Sequence, residues 1–157
     1  KFPKDMKFFS QWLAHLSIGL FIVAATFTEQ FDYEKNILFE KGKDTEVLLN
    51  DQTSVLLQNI KDESFSNHQK ISVELLIIDD GLEHKLNPSK NVYKPSGQIT
   101  NEVSTANSYL DQYYVTISMI EANMVSLNIV YKPLINLLWI SSMLLVFSIF
   151  MSIAKRK

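Results

Sequence analysis

The sequence has no cysteine, and only four glycines, four prolines and three histidines among 157 residues. Without thiols the chain holds no disulfide framework and no cysteine-attached haem or metal. Alanine, glycine and arginine are scarce, whereas Asn, Lys, Ile, Ser, Phe and Leu abound. AT-rich coding produces that bias, as in some organellar genomes. No internal repeat and no heptad pattern runs through the sequence. It starts at Lys1 rather than Met, which reads as one piece of something longer.

Charge is missing from two long stretches. Twenty residues from Phe8 to Phe27 carry none, and neither does the run from Leu134 to Ala154. At about 1.5 Å per helical residue each covers roughly 30 Å, the thickness of a bilayer's hydrocarbon core. Two such runs are hard to cover inside a soluble chain this short. The first is too long for the apolar part of a signal peptide, and no small-residue cleavage site follows it. The expected layout is a flank over 1–7, a transmembrane helix over 8–27, a soluble β-rich domain over 28–131, a transmembrane helix over 132–154 and a basic tail over 155–157. The fold class is thus a membrane protein in which two transmembrane helices flank a small β-rich domain. Lys1, Lys4 and Lys7 at one end, and Lys155, Arg156 and Lys157 at the other, keep both termini on the matrix or cytoplasmic side. Between the spans, sixteen acidic residues stand against eight lysines. The overall net charge of −2 hides an acidic domain on the intermembrane-space or periplasmic side. No nucleic-acid partner is expected.

Within the outer domain, strands are expected at Glu46–Leu49, Ser54–Ile60, Lys70–Asp79, Tyr113–Glu121 and Val125–Tyr131, where Val, Ile, Leu and Tyr cluster. Val115, Ile117 and Met119 alternate with Thr116 and Ser118; Ile71, Val73 and Leu75 alternate with Ser72 and Glu74. Asp79-Asp80-Gly81 is a turn signal, so Ile71–Leu86 reads as a hairpin if Leu82–Leu86 is a strand. Lys61–Gln69 reads as a loop. So does Asn87–Asn101, which Pro88, Pro95 and Gly97 interrupt.

One residue stands out chemically. His15 lies inside the first apolar run, where an ionisable group is costly and is a functional-site hypothesis by default. Three readings stand beside each other: a structural hydrogen-bonding group facing another helix, a member of a proton path, or an axial ligand of haem iron. Gly19, one helical turn on, removes a side chain on the same face, which would clear room for a flat porphyrin or for a close helix. Trp12 lies on the preceding turn. No other histidine occurs in either span, so a second axial ligand has to come from elsewhere. Asn136 and the serines at 141, 142, 148 and 152 are placed to bond to neighbouring helices. His68 and His84 read as ordinary surface or strand histidines, and Asp79-Asp80 as a turn rather than a catalytic carboxylate pair.

In order along the chain stand L-A-H-L-S-I-G-L (13–20), L-N-P-S-K-N-V-Y (86–93), Thr100 with Glu102, D-Q-Y-Y-V (111–115) and Y-K-P-L (131–134) followed by Trp139-Ile140. This order resembles the C-terminal part of CcmF, the cytochrome c maturation protein F family of haem lyase subunits. The first run resembles the family's Ala-His-Leu-Gly span, the second its Leu-x-Pro-Glu-Lys-Arg-x-Tyr motif, and the last its Lys-Pro-Leu approach to the final span. The resemblance implies that His15 ligates the iron of a membrane haem b, with a histidine of another chain or segment on the opposite side. It implies electron transfer as the job of that haem, and a recognition or loop-fixing role for Lys90, Tyr93, Thr100 and Glu102. Ser17, Ser89 and Asn91 depart from the family pattern, and the family's tryptophan-rich haem-handling segment does not occur in this sequence. The expectation is therefore one piece of a split haem lyase of mitochondrial type, not catalytic alone. Its partners would be the other parts of that lyase, apocytochrome c and haem delivery proteins, at the mitochondrial (or bacterial) inner membrane. The alternative is a structural subunit of a larger inner-membrane respiratory assembly that keeps the fold without catalysis.

Overall fold

The computed structural model describes residues 4–40, 46–121 and 124–154, with side chains from Phe8 onward. The lysines of the 1–7 flank and the tail 155–157, on which the orientation rests, lie outside the described side chains. The order is α1 (Lys4–Phe31), β1 (Tyr33–Glu40), β2 (Glu46–Leu48), β3 (Thr53–Ser64), β4 (His68–Asp79), β5 (Leu82–Leu86), β6 (Ser89–Tyr93), β7 (Ile99–Glu102), β8 (Ser104–Ser108), β9 (Asp111–Ile120), β10 (Met124–Lys132) and α2 (Ile135–Ala154). Two long apolar helices thus flank a domain of two antiparallel sheets.

The chain forms two compact units. One consists of the helices with the short turn at Tyr109–Asp111, the other of the remaining strands. In the helical unit, residues 8–31 of α1 and 135–154 of α2 are long and apolar enough to cross a membrane. α1 runs four residues past the expected end at Phe27, through Glu29 and Gln30, and β1 begins directly after it. α2 starts three residues later than the expected 132. β10 continues to Lys132, and Pro133, which lacks an N–H, and Leu134, at φ +53°, separate strand from helix.

The α1 seam is lined by Ser10, Leu13, Ser17, Ala24 and Thr28, all buried, with Ser141 and Ser148 buried on α2. Small side chains let two helix backbones approach closely where no hydrophobic effect drives them together. The Thr28 hydroxyl donates to the Pro133 carbonyl at 2.6 Å, so the end of α1 meets the start of α2. The serines do not bond across helices as expected. Ser17, Ser141, Ser142 and Ser148 donate to Leu13, Leu138, Leu138 and Leu145 of their own helices at 2.6–2.9 Å. In an apolar setting the nearest acceptor is the carbonyl three or four residues back, which leaves the serine acting by its small size.

In the β unit, β1-β10-β9-β8 form one sheet; β2-β3-β4-β6-β7 form the other, with β5 added to β4. Their inner faces share one core. Phe39, Val55, Val73, Ile77, Tyr113, Val115, Ile117, Val125, Leu127 and Ile129 are all within it, essentially without solvent exposure. The expected alternation holds for Val115 and Ile117 but fails at Met119, which is exposed while the next residue, Ile120, packs against the core. The Asp79-Asp80-Gly81 signal marks a two-residue turn: Asp80 at φ +47° and Gly81 at φ +79° join β4 to β5, with Leu75 opposite Leu86.

Two expected loops are wrong in part. Lys61–Ser64 continue β3, and His68 and Gln69 open β4, so only 65–67 turn. Asn87–Asn101 contains all of β6 and the start of β7. Both stretches are polar and exposed in sequence terms. They become strands because β4 pairs with the end of β3 and with β6, and β6 in turn with β7, which outweighs weak local preference.

Candidate functional site

α1 presents two opposite faces. At about 100° per residue, Ser17 and Ala24 lie about 160–200° from His15 around the helix. The seam therefore points away from the imidazole, and His15 is exposed. Around it are Phe8, Gln11, Trp12, Ile18, Gly19 and Ile22, an otherwise largely apolar surface; Phe8, Gln11, Trp12 and His15 line a shallow concavity. Trp12 stacks on Phe9 with centroids 6.3 Å apart. A Cβ added at Gly19 would meet nothing within 4 Å, so the glycine leaves open space one turn beyond His15.

The imidazole is oriented. Its Nδ1 lies 2.7 Å from the Gln11 carbonyl, four residues back. A carbonyl only accepts, so Nδ1 carries a proton, and in the neutral ring the lone pair is on Nε2. Holding Nδ1–H on a carbonyl while Nε2 points outward is the arrangement that metal-ligating histidines use to fix tautomer and ring direction. Gln11 was not singled out in the sequence; its position one turn before the histidine is the only signal it left. The donor set fits a haem on three counts: a ligating lone pair, an apolar surround and a glycine gap. Among the described residues no three His, Asp or Glu side chains gather around a common point.

The outer-domain residues named in the sequence fall into supporting places. Lys90 donates from Nζ to the Ser118 carbonyl at 3.1 Å, tying β6 to β9 across the two sheets. Glu102 accepts from the Ser89 hydroxyl, from Lys70 Nζ at 3.2 Å and from Asn91 Nδ2 at 3.0 Å. These donors, Ser89 first, then Lys70 and Asn91, hold its carboxyl far down at about 2. Ser89 and Asn91, the two departures from the family pattern, are thus the partners of the glutamate that the pattern includes. Thr100 pairs with Asn91 across β6 and β7. Tyr93 rests against His68, centroids 5.5 Å apart, and Phe65 stacks on the same imidazole at 4.6 Å. These four residues brace strands; they do not converge on a cavity.

Leu86 is buried in the core, and the Pro88 carbonyl accepts the Val73 N–H at 3.0 Å. Asp111 accepts the Leu134 N–H at 2.8 Å, fixing the backbone just ahead of α2. Lys132 pairs with Asp32 at the ends of the two helical arms. Asp79 accepts the hydroxyls of Thr53 and Ser108 at 2.8 and 2.6 Å beside the buried Tyr113, while Asp80 is in the turn. Burial pushes the Tyr113 and Tyr33 phenols up, so both stay protonated. His84 lies within β5, opposite Ile77.

No protein-family model and no curated protein matches the chain. Among solved structures, it is similar to a protein described as cytochrome c heme lyase CcmF, with a TM-score of 0.69 and 13% identity. The likeness covers 94% of this chain and 24% of that one, so the chain spans about a quarter of the length of the protein it matches. At that identity the likeness is one of fold: helix, two-sheet domain and helix follow the course of part of CcmF.

Proposed function

We propose that the chain is one piece of a CcmF-type haem lyase in an energy-transducing inner membrane, and that His15 supplies one axial ligand to a haem b. The fold likeness along 94% of the chain carries this reading. The outward, oriented imidazole beside Gly19 supports the ligand assignment. Exposed apolar side chains along both helices support their spanning the membrane, with the acidic domain on the intermembrane-space or periplasmic side and the basic ends opposite.

His15 would hold the iron through Nε2, with Gln11 keeping the ring in place through Nδ1. The chemistry that haem b supplies is one-electron transfer. Trp12, Ile22 and Phe8 would keep water from the iron-facing side, and Gly19 would leave the macrocycle its clearance. The second ligand, the handling of the incoming haem and the contact with apocytochrome c fall to other parts of a split lyase, of mitochondrial type.

The test is a reduced-minus-oxidised absorption spectrum of the purified native assembly, beside one carrying His15→Ala. A b-type band close to one haem per chain, lost in the variant, is expected. A band that survives His15→Ala puts the iron elsewhere. Absence of any band leaves the fold and makes the chain a structural subunit of an inner-membrane respiratory assembly.

A further inference from the structure

We propose that the turn joining β8 to β9 is a membrane-surface anchor that docks Tyr109 and Leu110 into the lipid headgroup layer. The proposal rests on the reading that α2 spans the bilayer. Tyr109 sits in this tight turn at φ +52°, a left-handed backbone that bulky side chains avoid. It is also 82% exposed, so no packing of its ring compensates for that conformation. A residue held against its preference with its side chain in the open is one whose side chain has work outside the fold.

What holds it there is the first turn of α2. The Asn136 side chain donates to the Tyr109 carbonyl at 3.1 Å and to the Asp111 carbonyl at 3.4 Å. The Asn136 backbone N–H donates to the Leu110 carbonyl at 3.0 Å. Asp111 in turn accepts the Leu134 N–H. The turn is therefore fixed to the level at which α2 begins, and it groups with the helices rather than with the strands it joins. For a span starting at Ile135, that level is the boundary between hydrocarbon and water.

The residue types suit this boundary. Tyrosine has an apolar ring and a hydroxyl that stays hydrated, and it concentrates at headgroup level. Leu110, 38% exposed beside it, adds apolar surface that water disfavours. The geometry points to lipid rather than to a protein partner because the turn is bonded to the span itself and shares its depth.

The full chain is reconstituted in phosphatidylcholine–phosphatidylglycerol vesicles, with and without a spin label on the headgroup or high on the acyl chain. Native Trp139, seen alone in Trp12→Phe, reports on α2. A Trp12→Phe, Trp139→Phe, Tyr109→Trp variant reports on the turn, and a matching Leu110→Trp variant covers misfolding of the first. The expected result is blue-shifted emission from the turn, at least twofold quenching by the headgroup label and little by aqueous acrylamide. Trp139, one helical turn further in, is expected to respond more to the acyl label. Turn indoles that emit as in water and are fully open to acrylamide overturn the anchor. So do turn indoles shielded from both quenchers, which would be covered by protein. If Trp139 responds to lipid labels and the turn does not, only the anchor fails. If neither responds, the spanning reading fails and takes the anchor with it.

Discussion

Glu102→Gln should remove a pH-dependent part of the β domain's stability. Three donors converge on the carboxylate: the Ser89 hydroxyl, Lys70 Nζ and Asn91 Nδ2. Together they hold its pKa at about 2, well below the usual carboxylate range. In the unfolded chain these donors disperse and the group titrates near its ordinary value, about 4.3. The folded state therefore binds the proton more weakly than the unfolded state does. The stabilisation is fully present above about pH 4.5 and is lost as pH falls toward 2. A displacement this large would be worth roughly 3 kcal/mol for a group shielded from water. The Glu102 side chain is 54% exposed, and screening reduces the effect to about 1 kcal/mol. For a domain of this size that is a melting-temperature difference of about 4–8 °C. The assay is thermal unfolding of the full chain in detergent, followed by tyrosine emission, for wild type and variant between pH 7 and pH 2. The variant should melt lower at pH 7, with the gap closing as pH falls through 4 to 2. A gap that stays constant with pH would show that the lost hydrogen-bond geometry matters and the charge does not. No gap at pH 7 would refute the bracing role altogether.

Other perturbations follow from the same structure. Ile117→Ala opens a hole in a side chain with no solvent exposure; denaturant unfolding should show a loss of about 2–5 kcal/mol. Ala24→Leu places a large side chain in the seam between α1 and α2, where alanine is fully buried. Overpacking of about 1–3 kcal/mol is expected, read as faster proteolysis of the detergent-solubilised chain, whereas Ile22→Leu on the other face should leave it unchanged. Tyr109→Gly relieves the left-handed backbone without losing packing, so it should raise thermal stability by about 0.5–1 kcal/mol while weakening contact with vesicles. Unchanged melting there would mean that the conformation carries no strain.

The elements readable from sequence were those whose local signal agrees with their final surroundings. The charge-free runs announced both helices, and the Asp-Asp-Gly turn announced the β4–β5 hairpin. The strands missed were β1, β6, β7 and β8. In Ser89–Tyr93 and Ile99–Glu102 the inward-facing residues include Ser89 and Asn91, so no period-two apolar pattern exists to be read. Their burial is made tolerable by Glu102, a partner eleven or more residues away, and such pairing is invisible to a local window. The same holds for Asp111 and Asn136. Asp111 gave no sign of its role in sequence and Asn136 was expected to bond to a neighbouring helix; only the fold brings the one to the Leu134 N–H and the other to the β8–β9 turn. His15 was legible as an anomaly, because charge-capable groups in apolar runs are rare. Its orientation was not, since that depends on which helix face the serines occupy.

The face that His15 occupies bears on the ligand role proposed for it. A structural hydrogen-bonding histidine would point into the seam, toward α2, where its proton could find an acceptor. The seam is instead filled by Ser10, Ser17, Ala24 and Thr28; the Ser17 hydroxyl bonds to the Leu13 carbonyl of its own helix and the Thr28 hydroxyl to the Pro133 carbonyl ahead of α2. The imidazole is on the far side, its Nδ1–H bonded locally and its Nε2 lone pair offered outward. Left against lipid, that lone pair is an unsatisfied acceptor in hydrocarbon, which costs several kcal/mol by order of magnitude. The local Gln11 bond offsets only half of the ring. A second polypeptide carrying a donor, or a metal that accepts the lone pair, removes the remaining cost. Gly19 suits both, because a missing side chain permits close approach of a helix backbone or room for a macrocycle beside the imidazole. A Cβ at Gly19 would meet nothing within 4 Å on this chain, so only what packs on this face distinguishes the two. A Gly19→Leu substitution tests it. Loss of the b-type band with the assembly intact by native electrophoresis supports a macrocycle on this face. Loss of the assembly itself, with no band in the wild type, supports a packed helix.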